Sequence, residues 1–287
     1  MLARENWKYE SSFKDATSFL IIFAFSILVG WLSWHIFPEG GRDMRDDILD
    51  SLVHWRAPWE EGTPLLPWFT LILFPLRYFS ARLATALING GSVVLTAFLL
   101  RRYKGNVLLT LPIMISPVGY WLFSTGQTDA LILAGVFLPA GLDLFFFWKP
   151  QVIIHSLWVR AKGNYKTYIF VGSGLLLVSL FLWPGWIKEI FVFGKDRLID
   201  GWWNKSLWPY GIPFGLYFVY LSIKKSDESY GVLASPLLFP YVNGPSYLGA
   251  LIVFASKWTK AFWGLYLLYL LYVFIALFFP GYNLRFL

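Results

Sequence analysis

The chain has no cysteine in its 287 residues. Disulfide frameworks, thiolate metal centres and cysteine nucleophiles are therefore excluded. Histidine is almost as scarce. Only His35, His54 and His155 occur, too dispersed for a histidine-based metal site. Charge is scarce as well: charged residues make up 14% of the chain, against the about 25% usual for a soluble domain. A cleavable signal peptide is not expected either. The polar leader Met1 to Thr17 gives way to an apolar stretch too long for an h-region and without a small-residue cleavage pattern. The first apolar segment is expected to stay in the protein.

What the chain has instead is grease. Hydrophobic residues are 57%, aromatic residues 21%, and the mean hydropathy is +0.56. This composition predicts an all-α, polytopic bundle of transmembrane helices, a single integral membrane domain over 1–287 with about eight spans of roughly 20 residues each. The net charge of +7 does not point to nucleic acid, because the basic residues sit in short clusters between apolar runs. They read as topogenic signals and headgroup contacts, which makes membrane lipids the expected surroundings.

The clearest span is Ser18 to Phe37, ended by Pro38, Gly40 and Gly41. Arg4, Lys8 and Lys14 precede it, which places the N-terminus on the cytoplasmic side of a multi-pass protein of the cell membrane. The first outer loop is then 38–64. A proline-interrupted run from Leu65 to Phe79 predicts a surface or re-entrant helix. Spans follow at 83–100 and 107–123. Ala130 to Trp148 is read as a single return crossing, broken near Pro139 and Gly141, which puts Lys149 to Lys166 on the inner side. A span at 168–183, a second outer loop at 184–208, and a span at 210–223 come next. Gly231 to Ala255 is either one broken span or a hairpin of two half-length pieces, and 261–279 is the last clean span.

One loop concentrates the acid. Glu39, Asp43, Asp46, Asp47, Asp50, Glu60 and Glu61 all fall in 38–64, out of 17 acidic residues in the whole chain. Asp43, Asp46, Asp47 and Asp50 share one face of a helix by their spacing, and Met44, Ile48, Leu52 and Trp55 share the other. The spacing predicts an amphipathic helix from Asp43 to Trp55, lying on the membrane with its apolar face down. Like charges three and four apart cost a few tenths of a kcal/mol per pair, so the stripe is not there for helix stability. Any single aspartate on a helix is more often just solvated. As a group placed straight after a span, these are candidates for a general base or a metal ligand. With Arg42 and Arg45 as neighbours, such an aspartate is expected to keep a low pKa and stay ionised.

Other polar residues interrupt apolar runs. Gly126-Gln127-Thr128-Asp129 lies between two spans and reads equally well as an ordinary turn or a site. Lys149-Pro150-Gln151 ends a span, where a snorkelling lysine is the plainer reading and a phosphate contact the functional one. Ser235, Tyr241 and Asn243 flank breaks at Pro236, Pro240 and Pro245. Irregular backbone at membrane depth is tolerated only where it is buried in protein or lines a cavity, so these three are candidate cavity-lining residues.

The order of these features resembles the GT-C superfamily of membrane glycosyltransferases, and within it the polyprenyl-phosphate-mannose-dependent mannosyltransferases (glycosyltransferase family 87). The likeness runs through Gly40-Gly41-Arg42-Asp43, Leu66-Pro67-Trp68-Phe69, Phe74-Pro75-Leu76, Gly126-Gln127-Thr128-Asp129, Lys149-Pro150-Gln151 and Ser235-Pro236. It covers roughly Phe19 to Ala255, each motif being weak alone and informative only in order. The resemblance implies a polyprenyl-phosphate sugar donor, inversion at the anomeric carbon and no metal or other cofactor. It implies Asp43 as the catalytic base. Arg42, Arg45, Gln127, Asp129 and Lys149 become candidates for contacts to the donor and its phosphate. The alternative is a non-catalytic structural or accessory subunit of a membrane complex, whose aromatic surface would meet other membrane subunits. A transporter ranks third, because the central spans lack buried ionisable residues other than Asp143.

Overall fold

The computed structural model describes residues 13–54, 67–188 and 204–278. The basic leader before residue 13, Trp55 with the rest of the first outer loop, and most of the second outer loop lie outside the described residues. Every regular element among the described residues is helical, with no strand. Three helices are long and apolar enough to cross a membrane: Ala16–Ile36, Ala81–Arg102 and Tyr165–Leu182. The pair Val107–Ile115 and Pro117–Thr125 makes a fourth if its 74° bend is counted within one span. The protein is a membrane-type helical bundle in which much of the chain is broken into shorter pieces.

α1 (Phe13–Ile36) packs along α4 (Ala81–Arg102) through small residues. A Cβ on Gly30 would sit 3.2 Å from the Ala86 carbonyl, and one on Gly90 would sit 3.1 Å from the Ser26 carbonyl. Ser26 Oγ donates to Gly90 O at 2.8 Å, and Asn89 Nδ2 donates to Ser33 Oγ at 2.9 Å. Between helices in lipid, close van der Waals approach and such hydrogen bonds replace the hydrophobic drive available in water.

Between them, α2 (42–53) is the acidic stripe. It is helical as expected, with wide π-type turns over Met44–Leu49. Its apolar face has a different partner from the one its amphipathicity predicts. Met44, Ile48 and Leu52 are buried in the core of the bundle against α4, not laid on lipid. The wide turns keep residues four apart in line, so all three point inward. The proline-broken run, expected as a surface or re-entrant helix, is helical as α3 (Pro67–Leu73), continued by 3-10 turns over Phe74–Tyr78.

α5 (Thr110–Ile115) and α6 (Pro117–Thr125) form the bent pair, with Ser116 capping α6 ahead of Pro117. α6 ends on Gly126 in the left-handed conformation, φ 71°. α7 (Asp129–Ala134) then leads into a hairpin rather than a single crossing. Gly141, φ 91°, turns the chain, and Leu142–Phe146 runs back beside α7. A Cβ on Gly135 would meet Phe146 Cβ at 2.9 Å, so glycine there lets the two arms close. Lys149 is consequently returned to the level of Gln127 and Asp129. The sequence puts Lys149 across the membrane from Gln127, but the chain runs to the far end, reverses at 139–143 and comes back, so the two stand at the same end of the bundle.

α8 (Pro150–Ile153) and α9 (Leu157–Arg160) lead to α10 (Tyr165–Leu182), whose surface is almost wholly outside the core. α11 (Ile212–Lys225) lies tightly on α12 (Glu228–Leu238): Cβ atoms on Gly211 and Gly215 would meet Leu237 O at 2.7 Å and Leu238 Cγ at 2.5 Å. α12 and α13 (Leu248–Lys257) pack on each other across the 239–247 connection, which resolves the Gly231–Ala255 segment into two half-length helices. α14 (Thr259–Phe278) closes the described chain.

Candidate functional site

Three close backbone approaches build the site. Gly41 N–H donates to Thr85 Oγ1 at 2.8 Å, and a Cβ on Gly41 would lie 2.6 Å from Thr125 C. A Cβ on Gly126 would lie 2.9 Å from Met44 Cβ. A Cβ on Gly244 would lie 2.5 Å from the Trp121 ring. Glycine at these positions lets the start of α2, the turn after α6 and the 239–247 connection share one small volume.

Into it converge the polar residues that the sequence singles out. Gln127 donates through Nε2 to Asp43 Oδ2 and accepts from Lys149 Nζ at Oε1. Lys149 Nζ also donates to Asp129 Oδ2 at 2.9 Å, forming an ion pair with a fully buried carboxylate. Asp129 Oδ1 accepts from Ser246 Oγ at 2.9 Å, and Ser246 Oγ stands 2.5 Å from Asn243 Oδ1. Asp43, Gln127, Lys149, Asp129 and Ser246 are thus one hydrogen-bonded chain across widely separated segments, with the Asn243 side chain against its Ser246 end. Pro150 contributes locally: a residue before proline is driven out of the helical region, and Lys149 sits at φ −117°, ψ 89°, as the N-cap of α8.

Neighbouring aspartates have opposite electrostatics here. Burial, with the Asp47 charge close by, pushes the Asp43 carboxyl up to about 6 despite Lys149, Gln127 and Arg42. The Arg45 guanidinium bonds Asp46 at 2.6 Å and holds that carboxyl below its ordinary value. The low pKa expected for an arginine-flanked aspartate therefore belongs to Asp46, not to Asp43. Arg45 faces outward, where its other partner is Glu39 at 2.5 Å, and it is not part of the hydrogen-bonded chain. Arg42 is exposed, yet close enough for its charge to act on Asp43.

The remaining candidates divide. Asn243 lies beside the chain, with its side-chain oxygen 2.5 Å from Ser246 Oγ. Ser235 does not: it is fully buried within α12, donates to Gly231 O at 2.9 Å and accepts from His155 N at 3.1 Å. Its hydroxyl serves helix packing, because the 154–156 turn lies directly against Gly231, leaving no room for a cavity. Tyr241 is partly buried, and the next residue, Val242, is tied by its backbone to Asn204 and Lys205. Ser246 and Thr85 are the participants that sequence reasoning missed. The signal for Ser246 was present, as the hydroxyl three residues after Asn243 in the same proline-broken segment. Lys205 lies with its ammonium 5.7 Å from the centre of the Trp121 ring, at the edge of this region.

Among the described residues, no three His, Asp or Glu side chains come together as metal ligands. The arrangement can accept a proton at Asp43, with a carboxamide and an ammonium beside it. Comparison with protein-family models, curated proteins and solved structures found no match.

Proposed function

We propose that the protein is a membrane glycosyltransferase of the GT-C type, which moves a sugar, mannose in the leading case, from a polyprenyl-phosphate donor to an acceptor hydroxyl. The observation that carries this reading is the convergence of Asp43, Gln127, Asp129 and Lys149 on one hydrogen-bonded chain. Asp43 takes the proton of the acceptor hydroxyl as its oxygen attacks the anomeric carbon. The bond from that carbon to the phosphate oxygen breaks, and polyprenyl phosphate leaves with the electron pair. A carboxyl raised to about 6 is still ionised at neutral pH, yet basic enough to help proton transfer. Lys149 and Arg42 are the cations positioned to stabilise the departing phosphate.

The proposed setting is the cell membrane, with about eight crossings, the N-terminus cytoplasmic and Asp43 at the outer face. Support comes from the segregation of charge. Arg101, Arg102, Lys104, Arg160, Lys224, Lys225 and Lys257 gather at the end of the bundle opposite Asp43. Single cysteines at Asp50 and Lys104, both exposed, can be probed with an impermeant thiol reagent. Labelling from outside at Asp50 and not at Lys104 is expected, and the reverse pattern refutes the orientation.

A second reading is an accessory subunit. It is favoured by α10, which buries almost none of its apolar surface in the chain itself and could meet another membrane subunit. Transfer of labelled sugar from polyprenyl-phosphate donors by the purified protein separates the two. Turnover lost in Asp43→Asn supports the enzyme, and no transfer by the wild type with any donor leaves the subunit.

A further inference from the structure

An apolar groove of about 630 Å³ runs between α11, α12 and α13, from Leu207, Tyr210 and Gly211 near the 239–247 connection to the start of α14. Phe214 and Leu237 line its middle, and Phe218, Phe254, Trp258 and Ala261 line the end nearer the basic cluster. Phe218 and Trp258 also pack on Tyr230, with ring centroids 6.5 and 6.4 Å from it. Two lysines hold the other contacts of that ring. Lys225 Nζ lies 4.9 Å and Lys257 Nζ 4.4 Å from its centroid. One aromatic ring, Tyr230, thus stands between this end of the groove and two ammonium groups.

The charge at this mouth is one-sided. Lys224 and Lys225 close α11, Lys257 closes α13, and Lys260 opens α14. Lys104 is nearby, because the turn that carries it packs Gly105 on Ser256. Asp227 is paired with Lys257 at 2.7 Å, and Glu228 is committed to Arg102 and Arg160. Lys224, Lys225 and Lys260 are exposed and have no carboxylate within ion-pair distance among the described residues. An apolar channel open to the bilayer with a surplus of ammonium groups at one end is complementary to a lipid that carries negative charge on its headgroup.

We propose that this groove is a binding site for an anionic phospholipid. One acyl chain lies along Phe214, Phe218 and Phe254, and the phosphate is held by Lys224, Lys225 and Lys260. The groove shares no lining residue with the Asp43 chain, and its lipid does not depend on sugar transfer. It would fix α11 and α14 to the bundle in membranes rich in such lipids.

The test is native mass spectrometry of the full chain, purified in detergent and offered equal amounts of phosphatidylglycerol and phosphatidylcholine with identical chains. A lysine near a charged lipid surface contributes about fivefold in affinity. Tenfold or greater retention of phosphatidylglycerol is therefore expected in the wild type. The triple variant Lys224→Gln, Lys225→Gln, Lys260→Gln should bring the ratio to about one. Ala261→Trp, which fills the groove, should reduce retention of both lipids. The lysines are exposed, and an unchanged thermal unfolding curve of the triple variant confirms that the loss is one of binding. Equal retention of the two lipids by the wild type, or an undiminished preference in the triple variant, overturns the proposal. So does displacement of phosphatidylglycerol by an equal amount of polyprenyl phosphate, which would assign the groove to a donor lipid instead.

Discussion

Asp43 and Asp143 are both held by hydrogen bonds between helices, near opposite ends of α4. Thr85, beside the first, and Arg102, joined to the second through Glu228 and Arg160, stand about 25 Å apart along that helix. Asp143 is fully buried and saturated. It accepts from Gly141 N at 3.0 Å, Arg160 Nε at 2.6 Å and Tyr168 OH at 2.5 Å. Arg160 in turn donates to Val136 O, Leu138 O and Glu228, clamping the hairpin that returns Lys149 to the site. Asp43 has Gln127 as a donor, a like charge at Asp47 and a carboxyl raised to about 6. One cluster matches every charge and holds the fold. The other keeps a carboxylate under-matched, which costs stability and leaves it basic. The charge-matched cluster and the under-matched carboxylate thus lie at different ends of the molecule, the arrangement expected if the second is the proposed site.

The contrast is broken most directly at Asp43. Asp43→Asn should reduce sugar transfer by about 100- to 10,000-fold, the usual contribution of a positioned general base. Folding should not suffer. A carboxyl whose folded pKa is raised loses stability as pH rises from its ordinary 3.8 through about 6, so at neutral pH the amide should unfold at the same temperature or a higher one. In the wild type the rate should fall as pH drops below about 6, as the base takes up its proton. A thermal scan and a pH–rate profile on the same preparations check both halves. A wild-type profile flat from pH 5 to 8 removes Asp43 from the mechanism.

Arg160→Leu should do the reverse. It strands Asp143 and Glu228 without their shared partner, and removing one side of a buried pair typically costs about 3–5 kcal/mol. The expected outcome is a large drop in unfolding temperature in detergent. Adding Asp143→Asn should recover part of it, because the uncompensated buried charge is then gone. If Arg160→Leu leaves the unfolding temperature unchanged, the basic-end cluster is not what holds the hairpin.

Ser246→Ala sharpens the comparison on a smaller scale. It removes a hydrogen bond to Asp129, the buried partner of Lys149. The loss of a bond to a charged acceptor is about 1.5–3 kcal/mol. Water at a site that admits substrate would offset part of that, so a roughly tenfold fall in rate with little change in unfolding temperature is expected. Parallel assays of rate and unfolding check this, and an effect confined to stability would place Ser246 with the structural cluster.

How far the sequence reached differs between the two ends. Gln127, Asp129 and Lys149 stood out because each interrupts an apolar run, and all three lie on the hydrogen-bonded chain that starts at Asp43. Their meeting was not legible, since it depends on glycine contacts 41–125 and 126–44 and on the reversal near Gly141. The apolar face of α2 had the right residues and the wrong partner, because lipid and a membrane-protein interior are equally apolar to a hydropathy argument. Ser235 misled because proline-broken backbone can be buried in protein as well as line a cavity. The clamp at the basic end was hidden for a plainer reason. Arg160 bonds acids 17 and 68 positions away, and in sequence it is one more topogenic arginine.

Arg45 gives the smallest expected effect and the sharpest boundary for the site. It is close to Asp43 in sequence, and sequence alone makes it a candidate for the donor phosphate. In the fold its guanidinium is taken up by Glu39 and Asp46, both of them exposed. Exposed pairs of this kind contribute about 0–1 kcal/mol, and the one here is screened from neither water nor salt. Arg45→Gln should therefore leave transfer within about twofold of wild type and the unfolding temperature nearly unchanged. Arg42→Gln, whose charge acts on Asp43, is the matched comparison and should shift the acid limb of the pH–rate profile upward, because a cation that favours the ionised carboxylate is lost. The two profiles measured together decide the matter: if Arg45→Gln moves the limb and Arg42→Gln does not, the side of α2 assigned to the site is the wrong one.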